Sequence, residues 1–299
     1  MNANYFYHIF GLKIESVIAF LDMPQGEGNP DVVIRYGKVP DEILDAKIKG
    51  VRYQAGPGKF LLRVDNVGKY YVTNGNDILI ERETGVADEE VLLFLMGSAM
   101  GALLHQRNIL PLHGSSIEVD GGGIIFTGPS AIGKSTLAGA FRKKGYNLLS
   151  DDVCAVTAKN NKDSHIIPGF PRLKLWADAL KKLNEGRKGL NRVRLDQDLE
   201  KYFVPFDNVD NGHVRVKSVF VLETTNTDQF EVVQLQRGDK IDPIINNTYR
   251  PRFLDGLGGK KEHFKQCAAV AAKAAVIRIT RPRKGFRLDE LMNLVERQW

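Results

Sequence analysis

The sequence predicts an α/β protein: a P-loop core follows a small β-rich N-terminal unit. Three observations lead there. A short apolar run at 123–127 leads straight into Gly128-Pro-Ser-Ala-Ile-Gly-Lys-Ser135, and a helical pattern continues to the glycine at 145. A second apolar run at 146–150 leads into Asp151-Asp152. Strand, glycine loop, helix and strand in that order begin an α/β nucleotide-binding core. Before residue 88 the texture differs, with short β-branched and aromatic runs separated by turn residues. The expected division is therefore 1–87 as a small β-rich domain and 88–299 as the P-loop domain.

In the first part, residues 31–36, 59–64, 69–73 and 77–81 read as strands. Asn74-Gly75-Asn76 is a hairpin signal between the last two, and Gly56-Pro57-Gly58 is another turn. Asp88 is suited to cap a helix through 89–105 that is almost wholly apolar after its first turn, and such a helix is usually buried. Beyond residue 110, strands are expected at 115–119, 123–127, 146–150, 214–223, 231–235 and 275–280. Helices are expected at 135–144, 176–184, 260–272 and 288–298. The polar, basic stretch 184–211 reads as a substrate loop.

Composition narrows the class. The 299 residues are 43% hydrophobic and 26% charged, which supports a substantial core and excludes disordered, collagen-like and coiled-coil chains. Two cysteines cannot build a disulfide framework, so a reducing compartment is expected. The start carries no basic-then-apolar signal pattern, and the longest uncharged apolar stretch, 91–104, falls short of the about 20 residues of a membrane span. The expectation is a cytoplasmic protein with no membrane partner. The net charge of +6 is uneven: −3 over residues 1–110, +9 over the remainder, and +7 within the last fifty. A basic half attracts anions such as nucleotide phosphates or an acidic peptide. No aromatic-studded basic groove accompanies it, so nucleic acid is not the expected partner.

The loop at 128–135 fits the pattern G-x-x-x-x-G-K-[ST]. Its glycines permit a tight turn whose backbone N–H groups point at phosphate oxygens, and the helix that starts there adds its positive end. Lys134 has the reach for the β- and γ-phosphates, and the Ser135 hydroxyl is a Mg²⁺ ligand type. Gly128, Ser130, Gly133, Lys134, Ser135 and Thr136 form the expected ATP-binding set. Asp151 and Asp152 come at the end of the next strand, where ligands of open α/β sheets collect. One carboxylate there suits Mg²⁺ and the other suits accepting the proton of an attacking hydroxyl. His113-Gly114 precedes the strand before the loop.

Taken together, His113-Gly114, the loop 128–135 and Gly145-Tyr-Asn-Leu-Leu-Ser-Asp-Asp152 resemble the catalytic domain of HPr kinase/phosphorylase, at matching spacings. The resemblance implies a fold like that of phosphoenolpyruvate carboxykinase, with the P-loop on a mixed sheet. It implies phosphoryl transfer to a serine hydroxyl on a protein. By position, Asp152 matches the general base of that family, His113 its active-site histidine, Lys134 its phosphate-binding lysine and Ser135 its magnesium-binding serine. Asp151 is left as the acid for the metal. A homo-oligomer is a further expectation. The chain departs from the family in two places. Ala131 stands where the loop has a second glycine, and Gly169-Phe-Pro-Arg-Leu-Lys-Leu-Trp176 stands where a Glu-Ile-Arg-Gly-Leu segment supplies a metal-binding glutamate. Pro-Arg-Leu-Lys-Leu-Trp, Tyr249-Arg-Pro-Arg-Phe253 and Arg281-Pro-Arg283 resemble more closely a divergent branch associated with modified-peptide biosynthesis, including kinases of lasso-peptide precursors.

Other candidates come from side-chain chemistry. If the segment is extended, Arg172 and Lys174 point to one face. Arg250 and Arg252 bracket Pro251, which stiffens their loop, and arginines so held suit a phosphate or a terminal carboxylate. Cys154 reads as packed, and Cys267 carries no assigned role. The expected function is an ATP- and Mg²⁺-dependent serine kinase acting on a peptide or small protein, with a precursor peptide phosphorylated near its C-terminus as the specific acceptor. The alternatives are a kinase/phosphorylase of an HPr-type phosphocarrier, a nucleotide-binding sensor without catalysis, and a P-loop hydrolase such as a transport ATPase. A sensor needs only the cradle, and a hydrolase of that type carries its second acidic strand much farther downstream.

Overall fold

The computed structural model describes residues 4–20, 23, 25–158, 163–193, 200–206 and 212–299. The chain forms two compact units, Met1–Pro111 with Tyr249–Phe264, and Leu112–Thr248 with Lys265–Trp299.

The first unit is an eight-stranded sheet. In chain order its strands are β1 (Tyr5–Ile9), β2 (Leu12–Ser16), β3 (Val32–Tyr36), β4 (Ile48–Lys49), β5 (Tyr53–Gly56), β6 (Lys59–Val64), β7 (Gly68–Thr73) and β8 (Asp77–Arg82). Their spatial order is β1-β2-β3-β8-β7-β6-β5-β4. β7 and β8 pair antiparallel across the expected hairpin turn. Alternation shows in β7, where Tyr70 and Val72 are buried while Lys69 and Tyr71 are half-buried. The apolar stretch after residue 87 is one helical run in three parts: α1 (Asp88–Phe94), a π-helical turn (Leu95–Ala99) and α2 (Met100–Gln106). It lies within the first unit, although the sequence reading groups it with the P-loop domain. The N-cap is Ala87 and not Asp88, whose carboxylate is taken by Arg82 at 2.5 Å. An ion pair across the strand end has displaced the capping role.

The second unit holds a mixed seven-stranded sheet with the order β10-β9-β11-β12-β15-β17-β16. Its strands are β9 (Leu110–Val119), β10 (Gly122–Thr127), β11 (Asn147–Thr157), β12 (His165–Ile167), β15 (Val214–Thr225), β16 (Glu231–Gln234) and β17 (Ala275–Pro282). β15 pairs parallel with β10 and β17, while β9 runs antiparallel to β10. Between β12 and β15 lies a separate antiparallel ribbon, β13 (Arg172–Trp176) with β14 (Lys201–Pro205). Among the helices that pack against this sheet's core are α3 (Lys134–Lys143) and α4 (Ala177–Lys182). Leu137 and Phe141 of α3 are fully buried, as are Phe126 and Phe220 of the sheet. Phe126 and Phe141 stack with centroids 5.7 Å apart. Each such side chain contributes about 1.5–3 kcal/mol through burial, which fixes α3 against β10 and so fixes the loop between them.

Two sequence readings are corrected. The strand expected at 146–150 does not end at the acid pair; β11 runs on through Asp151 and Asp152 to Thr157. The stretch expected as a substrate loop, 184–211, contains β14, because Tyr202 and Val204 alternate into the core beside Leu173 and Leu175. Parts of that reading, 194–199 and 207–211, lie outside the described residues. Among the described residues no helix is long and apolar enough to cross a membrane.

Candidate active site

The loop between β10 and α3 owes its shape to backbone conformations that few residues tolerate. Gly128 has φ +137°, and a Cβ there would come within 2.4 Å of the Leu222 carbonyl oxygen. Gly133 has φ +108°, and a Cβ there would lie 2.8 Å from the Phe286 ring. Ala131, at the position where the HPr-kinase pattern has a glycine, is itself left-handed at φ 62°. That conformation costs about 1–2 kcal/mol for a residue with a Cβ. The loop thus keeps its course without the glycine. Lys134 opens α3 and is 6% exposed; its Nζ donates to the carbonyls of Gly128 and Pro129, both at 2.9 Å. Burial lowers its pKa, and Asp151 and Asp152 oppose that shift. Gly128 itself is buried, while Ser130, Gly133, Ser135 and Thr136 line the cleft.

β11 brings the acids. Asp151 is 6% exposed. Its Oδ1 accepts from Ser135 Oγ at 2.8 Å and from Ser115 Oγ at 2.5 Å, and its Oδ2 accepts from the Lys174 backbone N–H at 2.7 Å. Asp152 Oδ2 accepts from Lys174 Nζ at 2.6 Å. His113 Nδ1 donates to the Asp152 carbonyl at 3.1 Å and lies 3.6 Å from its Oδ1. Consecutive residues of a strand normally face opposite sides. Asp152 adopts φ 70°, which breaks the alternation, and both carboxylates line one cleft. A left-handed aspartate inside a strand costs on the order of 1–3 kcal/mol, and such strain concentrates at functional sites.

Charge at the site is tightly balanced. Burial acts to raise the Asp152 pKa, but the charge and hydrogen bond of Lys174, with His113 and Lys201, outweigh it and hold the carboxyl well below the usual carboxylate range. For His113, burial and then the Lys134 charge lower the pKa, with Asp152 and Asp151 opposing. The imidazole is therefore neutral at pH 7.

The ribbon completes the wall. Arg172 and Lys174 do face one side of β13, over the Phe203 ring at 5.6 and 5.9 Å. Of the two, Lys174 lines the cleft. Trp176 and Lys201 are cross-strand partners and also line it. Arg250 and Arg252 belong to the first unit, both exposed, with Arg250 left-handed at φ 52° and its guanidinium 5.6 Å from the Tyr249 ring centre. Ser115, Lys201, Trp176 and Phe286 are site residues that the sequence reading did not single out. Ser115 sits beside the recognised His113-Gly114, but nothing local signals the cross-strand register that pairs Lys201 with Trp176.

The residues present fit a magnesium–nucleotide pair. Ser135 Oγ and Asp151 Oδ1 lie side by side, a hard-oxygen pair of the kind Mg²⁺ shares with waters and phosphate oxygens. Among the described residues there is no group of three or more His, Cys, Asp or Glu side chains able to hold a metal by themselves. The positive-φ glycines and the start of α3 form the matching phosphate cradle.

This arrangement defines a P-loop site with two acids converging on it. Residues 106–169 match the family model of the HPr Serine kinase C-terminal domain. The chain is 30% identical over 97 residues to the HPr kinase/phosphorylase of Chlorobium limicola, a stretch that is 30% of this chain and 28% of that protein. It is 35% identical over 88 residues to the HPr kinase/phosphorylase of Pelodictyon phaeoclathratiforme, 27% of each. A solved structure, the Hpr(Ser) kinase/phosphatase from Coxiella burnetii, aligns with a TM-score of 0.32 at 16% identity, over 63% of this chain and 89% of that one. The segment that matches the HPr Serine kinase C-terminal domain, 106–169, is the one that carries His113, the P-loop and the acid pair. The matched stretches span about a quarter of the length of the two curated relatives.

Proposed function

We propose that the chain is an ATP- and Mg²⁺-dependent kinase that phosphorylates a serine hydroxyl on a peptide or small protein. The observation that carries this reading is the convergence of Lys134, Ser135, Asp151 and Asp152 on one cleft. Lys134 neutralises phosphate charge at the cradle. Ser135 and Asp151 hold the metal, which when bound would neutralise charge on the β- and γ-phosphates. Asp152, kept ionised by Lys174, orients the acceptor hydroxyl and takes its proton as the new P–O bond forms and the bond from the γ-phosphorus to the departing ADP breaks. His113 braces the Asp152 backbone through Nδ1. A sensor needs only the cradle, so a second, strained acid beside it favours catalysis. Cys154 and Cys267 are both buried and are not joined to each other by a disulfide, which suits a cytoplasmic setting.

We further propose that the acceptor is a ribosomal precursor peptide of the lasso type, with its serine near the C-terminus. The support is the resemblance of the segments at 171–176, 249–253 and 281–283 to kinases of that branch. The second reading is an HPr-type phosphocarrier, favoured by the names of the curated relatives. Mass spectrometry after incubation with MgATP and either a precursor peptide or an HPr protein separates them. A gain of one phosphoryl mass on the peptide serine, absent when that serine is alanine, supports the first. Transfer to HPr alone replaces it with the second, and transfer to neither rejects both acceptors.

A further inference from the structure

The lysines of the cleft are not equivalent. Lys134 donates to two loop carbonyls, Lys174 to Asp152, and Lys182 lies 3.5 Å from Asp178 Oδ2. Lys201 Nζ sits 5.5 Å from the centre of the Trp176 ring and meets no oxygen acceptor among the described residues. The nearby carboxylates are already engaged: Asp151 accepts three hydrogen bonds and Asp152 Oδ2 is held by Lys174. A partly buried ammonium whose nearby carboxylates are shared with other donors is incompletely compensated, and a cation–π contact returns about 0.5–2 kcal/mol. A lysine held in that state in a cleft is suited to an incoming anion.

We propose that Lys201 contacts the terminal phosphoryl group of the bound nucleoside triphosphate, the group that is transferred, and that Trp176 positions it. This rests on the nucleotide-binding reading above. Placement favours the terminal phosphate. Lys201 lines the same cleft as Asp152, the proton acceptor, and Lys134, the cradle lysine, and is near enough to act on both electrostatically. Burial lowers the Lys201 pKa, and Asp152 then Asp151 counter it. The described cleft lining holds four lysines, Lys134, Lys174, Lys182 and Lys201, against three aspartates, Asp151, Asp152 and Asp178, an excess that a terminal phosphate would neutralise. β14 supplies Lys201 opposite Trp176 in register, so the indole holds the ammonium in place before any ligand enters.

The test is isothermal titration of the full chain with MgATP and with MgADP. Lys201→Met should weaken ATP roughly tenfold or more, the scale of one lost charge-assisted hydrogen bond, and leave ADP within about twofold. Lys201→Arg should retain most of the ATP preference. Trp176→Leu should lose much of it and Trp176→Phe should keep it, because a ring remains under the cation. Unchanged ATP binding in Lys201→Met, or equal weakening of ATP and ADP, would overturn the inference and leave the cradle standing. Wild-type protein that binds neither nucleotide would instead overturn the nucleotide reading itself. If Lys201→Met does not fold by circular dichroism, the two Trp176 variants decide the question.

Discussion

The hydroxyl of Ser135 and Oδ1 of Asp151 are 2.8 Å apart, which ties the first turn of α3 to the middle of β11. The same oxygen receives Ser115 from β9. One carboxylate thus joins three elements, and its replacement has consequences that a surface acid would not.

Asp151→Asn should raise the Mg²⁺ requirement of phosphoryl transfer, with activity partly recovered at high Mg²⁺. The amide keeps the shape, loses the charge that a hard cation requires, and turns an NH₂ group toward one of three donors. Titration of Mg²⁺ in the transfer assay checks it, and a loss indifferent to Mg²⁺ would remove Asp151 from the metal.

Asp152→Asn should lower kcat by roughly 10²–10⁴ with ATP binding largely kept. The fold should survive, since asparagine tolerates the left-handed φ of 70° that this position adopts. Calorimetric ATP binding beside single-turnover transfer gives the answer. An ATP affinity that falls as far as kcat would mean that Asp152 belongs to the cradle.

Lys134→Ala should abolish transfer and nucleotide binding. It should also lower thermal stability by a modest amount, because its ammonium bridges the Gly128 and Pro129 carbonyls. The loss of two such bonds is worth on the order of 1–3 kcal/mol. Circular dichroism should show a native spectrum, and near-normal turnover by that protein would reject the P-loop assignment.

Gly133→Ala should be more damaging than its size suggests. It places a Cβ at φ +108° and 2.8 Å from the Phe286 ring. Phe286→Ala in the same chain should relieve the clash and not the backbone strain, so nucleotide affinity should recover in part. Full recovery would show that the φ value is immaterial.

The first unit should carry an acid-sensitive element at His105. This imidazole is 6% exposed, its Nε2 donates to the Tyr249 carbonyl at 2.9 Å, and burial pushes its pKa down to about 4. The unfolded chain takes up the proton near pH 6.5 and the folded chain does not. Stability is therefore complete above about pH 6.5 and falls as the pH drops toward 4, by about 3 kcal/mol in all. Urea melts at pH 7.5 and 4.5 should show this loss, and His105→Gln should reduce it. An identical pH dependence in the variant would assign the loss to other groups.

Much of the core was legible because local rules and the fold agree. The glycine–lysine–serine loop, the apolar run before it and the amphipathic α3 all follow from nearest neighbours in sequence, and each appears within a residue or two of its expected place. The hairpin at Asn74-Gly75-Asn76 is equally local. The strands β1, β2, β4, β5 and β12 were not legible, since each is two to five residues long, too short for its side-chain period to stand out from the surrounding residues. α1 was legible as a helix but not in its cap, because Asp88 is claimed by Arg82 from a neighbouring strand end.

By itself the sequence determined the course of the glycine–lysine–serine loop and the adjacency of the two acids, because such a loop is a local device whose residue types dictate its backbone. The different partners of those acids were decided by tertiary structure. Asp151 is saturated by donors from three elements, whereas Asp152 turns through a left-handed φ to meet Lys174 and His113. The place of Lys201 on Trp176 was likewise set by strand register. Register depends on which side chains bury together across a ribbon, and no window of neighbouring residues contains that information.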